Sequence, residues 1–181
     1  MQLRRHALLS LTLVTFSGCL ISEVNEYTLT LNSDGRSGTF RTVRRNVASN
    51  ESDTAAQRRD FSELVGNWRG DRYLLDQMEK GLYVKSRSVA MEQGKVVWRE
   101  TAIFSDVTKL IPNFDADDTL RIPLHDTTGL EITSNGTVAL ERDSVVILWQ
   151  PHTTHFELTT KLRDFKPVSS FAARLRRYLK K

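Results

Sequence analysis

The sequence predicts an α+β fold: an antiparallel β-sheet of hairpins, a central helical segment packed on one face, and a C-terminal amphipathic helix. Two observations predict it. Short stretches that alternate apolar and polar residues recur along most of the chain, separated by brief turns, and such stretches are typical of antiparallel strands. Helical spacing is found in one long internal segment, between residues 54 and 81. A single long crossover disfavours a doubly wound parallel sheet.

The first predicted hairpin opens the domain. Residues 27 to 31 alternate in the strand period, and residues 39 to 47 form the predicted returning strand. Between them, Gly35 and Gly38 belong to a turn in which glycine supplies the positive φ that a hairpin demands. Residues 49 to 53 are polar, so they suit the cap of the helix that follows.

The helical segment is predicted to form one kinked helix or two short helices. Its apolar residues recur at spacings that place them on one face. They are Phe61, Leu64, Val65, Trp68, Leu74, Leu75 and Met78. Gly70 interrupts the pattern, and Gly81 is the expected residue after the C-cap, because glycine accepts the left-handed conformation found there.

Residues 82 to 91 and 95 to 107 form the clearest strand pair. Along the second of these strands the apolar residues share one face, and Glu100 is the exception. The dipeptide Asn135-Gly136 predicts a type I′ hairpin between two later strands. The remaining strands are predicted at residues 119 to 124, 130 to 133, 138 to 141, 145 to 150 and 155 to 162, and the last helix at residues 168 to 178. The residues expected to pack in the core, rather than to line a ligand groove, include Trp68, Trp98 and Trp149.

Composition indicates one globular domain with an uneven charge distribution. Hydrophobic residues make up 39% of the chain and charged residues 27%, as in ordinary folded proteins. The net charge of +4 hides an acidic body, because eight Lys or Arg and a single acidic residue, Asp164, fall within residues 161 to 181. The basic charge is therefore concentrated in the leader and the tail. No nucleic-acid partner is expected from this pattern.

Residues 1 to 18 have the features of a secretory signal: two arginines, a short apolar run and small residues before the cleavage point. The apolar run has about half of the roughly 20 residues that a membrane-spanning helix requires. Residues 16 to 19, Phe-Ser-Gly-Cys, resemble the lipobox of bacterial lipoproteins, in which the cysteine is acylated and becomes the first residue of the mature chain. The resemblance implies lipidation of Cys19 and, through it, a membrane as partner.

Two alternatives for Cys19 stay open. An ordinary secretory signal cut near it would release a soluble periplasmic or extracellular protein, and a disulfide would need a second chain because no other cysteine exists. The predicted organisation is a signal at residues 1 to 18, a tether at 19 to 26, an α+β domain at 27 to 165 and a basic amphipathic helix at 166 to 181.

No residue spacing predicts a metal site or a catalytic centre. His152 and His155 stand three apart in an extended segment, so they point to opposite faces. An acidic loop contains Asp115, Asp117, Asp118 and Asp126. It lacks the glycine and the final glutamate of an EF-hand. We predict a non-enzymatic protein without cofactor or metal. The competing prediction is an envelope hydrolase or metal-dependent enzyme, built on His125, His152 or His155.

The tail is the best candidate for a functional surface. Its apolar stripe consists of Val168, Phe171, Ala172, Leu175, Tyr178 and Leu179. The basic residues that flank it are Arg174, Arg176, Arg177, Lys180 and Lys181. Such a helix can lie on an anionic membrane, where it would contact anionic lipid or glycolipid. It can also dock on the sheet, with its cations favoured near the helix C-terminus. The two arrangements are compatible.

A second resemblance depends on the order of a lipobox-like signal, a strand–turn–strand with Asp34-Gly35-Arg-Ser-Gly38, a helix, and then residues 82 to 110. A glycine-led strand and its partner end in the phrase Phe104-Ser-Asp106 to Leu110, and this block is similar to the LppM-type lipoprotein domain of unknown function. The resemblance covers about half of the chain and implies envelope placement with lipid or glycolipid contact, but no catalytic residue. The expected location is the bacterial cell envelope. Leu20, rather than aspartate, after the cysteine indicates the outer membrane if the cell is Gram-negative.

Overall fold

The computed structural model describes residues 20 to 112, 114 to 141 and 144 to 180, where the chain forms twelve strands and three α-helices. The strands are β1 (Leu20–Ile21), β2 (Val24–Leu31), β3 (Gly38–Arg45), β4 (Ala48–Ser49), β5 (Tyr83–Glu92), β6 (Lys95–Phe104), β7 (Leu120–Leu124), β8 (Leu130–Ser134), β9 (Thr137–Glu141), β10 (Ser144–Trp149), β11 (His155–Leu162) and β12 (Ser169–Ser170). The helices are α1 (Thr54–Arg69), α2 (Asp71–Glu79) and α3 (Ala172–Leu179). The predicted α+β class is confirmed. In these ranges no helix combines the length and the apolarity needed to cross a membrane.

Six antiparallel strands form the main sheet, in the order β5-β6-β3-β2-β11-β8. A second sheet, in the order β7-β10-β9, covers one end of its inner face, and the helices cover the other end. Along β6, Trp98, Glu100 and Ala102 share this inner face because they are two residues apart. Trp98 packs beneath the helices, whereas Ala102 packs beneath the second sheet. The main sheet therefore supports two separate cores.

The sandwich core lies between the two sheets. Its buried residues include Leu29, Leu31, Phe104, Phe156 and Leu158 from the main sheet, and Leu120, Ile122, Leu124, Ile147 and Trp149 from the second. The rings of Trp149 and Phe156 meet edge to face at 5.6 Å between centroids. Each such side chain contributes about 1.5–3 kcal/mol by leaving water, so apolar burial holds the sheets together.

The helical core lies beneath the helices. Its buried members are Leu20, Val47, Leu64, Tyr73, Val89, Val96, Trp98, Phe171 and Leu175. The helix α1 starts where the sequence predicts, because the carboxylate of Asp53 accepts a hydrogen bond from the Ala56 amide at 2.7 Å. The predicted segment forms two helices, since Gly70 is extended and separates α1 from α2.

The glycine predictions are confirmed at two of three positions. Gly81 follows the C-cap of α2 with φ +82°, and Gly35 has φ +64° in the β2–β3 turn. Gly38 does not have a positive φ, so that prediction is wrong. Gly38 is required by close approach instead: a Cβ there would stand 2.1 Å from the carbonyl oxygen of Thr30 and 2.7 Å from the ring of Phe104.

The predicted hairpin at Asn135-Gly136 is wrong. Strand β8 pairs with β11 in the main sheet and β9 pairs with β10 in the second, so the chain crosses between sheets here. Neither residue has a positive φ. The Asn135 Oδ1 atom accepts hydrogen bonds from Trp149 Nε1 and from the Glu157 amide, both at 2.8 Å. A Cβ at Gly136 would lie 2.7 Å from the carbonyl oxygen of Leu148.

The helix α2 also differs from the prediction, because its apolar residues are not its buried ones. Leu75 is 59% exposed and Met78 49%, whereas Tyr73 and Gln77 are buried. The inner face of the sheet explains this reversal: beneath α2 it carries Glu100, whose carboxylate hydrogen-bonds with the Tyr73 hydroxyl. The Tyr73 hydroxyl on the helix therefore meets a carboxylate on the sheet.

Candidate functional site

The chain enters the folded domain immediately after the predicted lipidation site. Cys19 lies outside the described residues, but Leu20 is the first residue of β1 and packs in the helical core, 9% exposed. Residues 20 to 26 belong to β1, β2 and the bend between them. Of the predicted tether at residues 19 to 26, residues 20 to 26 are thus part of the folded domain. A group attached to Cys19 would be one peptide bond from a folded strand.

A small sheet brings β1, the first described strand, close to β12, the strand that precedes α3. Its order is β1-β4-β12, and both Leu20 and Ser169 pair with Ser49 of the central strand. Neighbouring strands lie about 4.8 Å apart, so the start of β1 is about 10 Å from Ser169. Because β12 leads directly into α3, the basic helix begins beside the point where the chain emerges.

The central strand of this small sheet is fixed to α1. Ser49 is fully buried, and its hydroxyl donates a 2.5 Å hydrogen bond to Asp60, a buried carboxylate on α1. The same hydroxyl oxygen accepts from the Glu51 amide at 3.1 Å. The bond to Asp60 ties α1 to the small sheet that contains β1 and β12.

The helix α3 is docked on the domain through its apolar stripe. Phe171 and Leu175 are completely buried in the helical core, and the rings of Phe171 and Phe61 are 5.5 Å apart. The helix starts at Ala172 rather than near residue 168, because residues 169 and 170 pair with β4. Docking therefore explains why the apolar stripe contains Phe171 and Leu175, the two residues that it buries. It leaves the basic residues on the outer side.

The basic residues of α3 are turned towards solvent. Arg174 donates a long hydrogen bond, 3.4 Å, to the side chain of Gln57 on α1, and Arg177 donates to the carbonyl of Ala173 in its own helix. Arg176 and Lys180 are exposed. Within the described ranges, none of these four cations lies within 4.0 Å of a carboxylate. Lys181 is outside those ranges. The surface thus presents uncompensated positive charge.

A buried polar cluster of Thr42, Tyr73 and Glu100 separates the two cores. Glu100 pairs with Thr42 across β3 and β6, and both are nearly inaccessible to water. Burial raises the pKa of Glu100, although the Tyr73 hydrogen bond and the Arg44 charge oppose that rise. Burial also raises the pKa of Tyr73. The only sequence signal for this cluster is Glu100 on an otherwise apolar strand face.

The predicted metal and catalytic candidates do not converge. His152 Nδ1 lies 3.4 Å from a carboxylate oxygen of Asp117, at an exposed loop. His155 contacts Thr30 and Glu157 on the sheet surface, both at 3.0 Å. The described part of the chain holds no group of three His, Cys, Asp or Glu side chains placed to bind a metal ion. The non-enzymatic function stays a prediction.

The outer face of the main sheet is polar and carries an ion-pair network. Lys95 and Glu23 are 2.7 Å apart, and the Lys95 hydrogen bond lowers the pKa of Glu23. Arg45 pairs with Glu26 at 2.6 Å, and Glu92 pairs with Arg45 at 3.6 Å. The recess between these side chains is open and lined mainly by charged groups. It offers no deep apolar pocket for an apolar ligand.

No family model, curated protein or solved structure matches this chain. The functional argument therefore depends on the geometry of the chain itself.

Proposed function

We propose that this protein is a bacterial envelope lipoprotein, anchored through an acylated Cys19, and that its α+β domain is a non-enzymatic binding or structural module held against a membrane surface. The observation that carries the proposal is the β1-β4-β12 sheet, which places the start of the folded chain beside the basic helix α3. An acyl anchor and a cluster of cations together give stable membrane attachment, whereas a single chain alone gives marginal binding.

Two further features support a module over a carrier or an enzyme. The outer face of the main sheet is a polar surface covered by ion pairs, which suits contact with water or a polar partner. The inner face is covered by the second sheet and the helices, and its apolar side chains pack in the sandwich core and the helical core. If the cell is Gram-negative, we place the protein at the outer membrane.

The anchor is tested by mass spectrometry of the N-terminal peptide together with membrane fractionation. We expect an acyl-bearing group on Cys19 as the first residue of the mature chain, and release from the membrane fraction in Cys19→Ser. The Arg41→Gln variant, changed at an exposed position on the outer face of β3, is the matched control and should stay with the membrane. An unmodified cysteine in the membrane-purified protein would refute the anchor.

A further inference from the structure

We propose that the edge where α1 meets α3 is the surface that this domain lays on an anionic phospholipid bilayer. The edge consists of Trp68, Arg69, Arg174, Arg177 and Tyr178 and is called the aromatic–arginine edge below. This inference rests on the proposed function, because it states how an anchored domain is oriented. The ligand chemistry is the headgroup phosphate of an anionic phospholipid.

Arg69 contacts two neighbouring aromatic rings at this edge. Its guanidinium carbon lies 4.5 Å from the centre of the Trp68 ring and 5.1 Å from the centre of the Tyr178 ring. The side chain is exposed, and no carboxylate of the described residues pairs with it. Cation–π contacts attract the guanidinium to the rings without supplying a hydrogen-bond acceptor for its N–H donors. A planar fork of donors matches a phosphate group.

Neither helix places an acidic side chain on the edge. Helical spacing puts one sector of α1 next to α3, and that sector contains Gln57, Arg58, Phe61, Ser62, Val65, Trp68 and Arg69. The helix α3 has no acidic residue at all. An ordinary solvated surface mixes charges of both signs. A surface that combines cations, aromatic rings and uncharged side chains is complementary to an anionic bilayer.

The aromatic residues of the edge also suit a position at the membrane–water interface. Trp and Tyr are enriched at membrane–water interfaces, because their rings have both an apolar body and a polar atom. Trp68 and Tyr178 are only partly buried, and their ring centroids are 6.5 Å apart. Phe61 packs behind Tyr178 at 6.3 Å, which fixes the ring in place. The Tyr178 ring is therefore positioned by packing within the domain.

The position of the chain entry selects a bilayer over an acidic protein as the occupant. Leu20 and Phe171 belong to the same core, so the residue that follows Cys19 and the first turn of α3 lie at one end of the domain. An acylated Cys19 would hold this end within a few ångströms of the lipid headgroups. Anchoring raises the effective concentration of the edge at the bilayer, and weak phosphate contacts then suffice for attachment.

Tryptophan emission tests the orientation directly, because Trp98 and Trp149 are buried and Trp68 is the partly exposed tryptophan. The mature protein purified from membranes is reconstituted into vesicles whose lipids carry bromine on their acyl chains, with or without phosphatidylglycerol. We expect bromine to quench the emission in anionic vesicles. Trp68→Phe should remove most of that quenching without releasing the anchored protein.

A paired variant tests the arginines. Arg69→Gln with Arg177→Gln removes two charges, each contributing about 1 kcal/mol near an anionic surface, so the ratio of apposed to detached domains should fall about 30-fold. Quenching should then fall to the level seen in neutral vesicles. Arg41→Gln with Lys85→Gln removes the same charge from exposed positions of the main sheet and should leave quenching unchanged. Circular dichroism verifies that both variants are folded.

Three results would overturn the orientation: unchanged quenching in Trp68→Phe, equal quenching in neutral and anionic vesicles, or equal losses in the two paired variants. These failures are distinct from failure of the anchor. If mass spectrometry finds no acyl group on Cys19, the proposed function fails, and the same variants are compared with the unacylated protein added to brominated anionic vesicles. Absence of quenching there would overturn the lipid contact as well.

Discussion

Truncation of Leu175 to alanine tests whether α3 is part of the folded domain. The side chain is completely buried in the helical core, in the same cluster as Phe171 and Leu64. Leu→Ala removes about three methylene equivalents at about 0.8 kcal/mol each, and the cavity that remains adds to the loss. We expect the free energy of unfolding to fall by about 3 kcal/mol. That is a large fraction of the roughly 5–15 kcal/mol that stabilises a typical domain.

Leu179 provides the matched control on the same helix, because it is 48% exposed. Leu179→Ala should lower the free energy of unfolding by less than about 1 kcal/mol, since little apolar area leaves water at that position. Urea titration followed by circular dichroism measures both variants. In thermal scans, Leu175→Ala should lower Tm by about 10 °C, because a domain of this size loses about 2–4 °C per kcal/mol.

Equal, small effects of the two substitutions would refute the reasoning. They would mean that α3 is not seated in the helical core and that its whole apolar stripe is available to lipid. The proposed orientation would then need a different surface, because the edge between α1 and α3 exists only when α3 is docked.

Four other substitutions test the packing. Gly38→Ala should destabilise the fold by more than about 2 kcal/mol, because the new Cβ would meet a backbone oxygen at 2.1 Å. Gly66→Ala should stabilise α1 by up to about 1 kcal/mol, because nothing lies within 4 Å of the new Cβ. Urea titration distinguishes them, and similar effects would contradict the close-approach argument. Asn135→Ala should cost about 2 kcal/mol in the same assay, since three hydrogen bonds are lost; an unchanged midpoint would contradict it. Burial raises the pKa of Glu100 in the folded state above its value in the unfolded state. Protonation of the Glu100 carboxyl therefore stabilises the fold fully below about pH 4, and this stabilisation is lost as pH rises through the folded pKa. The stability of Glu100→Gln relative to the wild type should therefore increase between about pH 4 and pH 7, and a decrease would refute the sign.

Local chemistry made most of the strands predictable. Strand β11 has the predicted bounds, because its period of two reflects one buried face and needs no knowledge of partners. Gly81 was predictable for a similar reason, since a C-cap geometry is set within a few residues of chain.

Pairing between distant strands was not predictable from local signals. The dipeptide Asn135-Gly136 is typical of a hairpin, yet the strands on either side belong to different sheets. What decides the outcome is the Asn135 side chain, whose bonds to Trp149 and Glu157 depend on contacts with residues more than a dozen positions away. A turn propensity of this kind is easily outweighed by long-range packing.

The exposed face of α2 shows a second limit of periodicity. Leu75 and Met78 fit a helical stripe, but the side that is buried is chosen by what lies beneath the helix. The polar inner face around Glu100 became visible only when β3 and β6 were paired. The candidate membrane surface was likewise predictable in its basic residues but not in Trp68 and Arg69. The sequence places those two more than 100 positions from Tyr178.

The polar cluster between the two cores allows the two halves of the domain to unfold locally and separately. The cluster lies across β3 and β6, and β6 contributes to both cores, with Trp98 on one side of Glu100 and Ala102 on the other. The helices, by contrast, contribute mainly to one. The helical layer can therefore behave as a separate cooperative unit, with its own protection against amide hydrogen exchange, while the sandwich half stays closed. Exchange in α1 and α3 should then respond to lipid contact, and exchange in β10 should not.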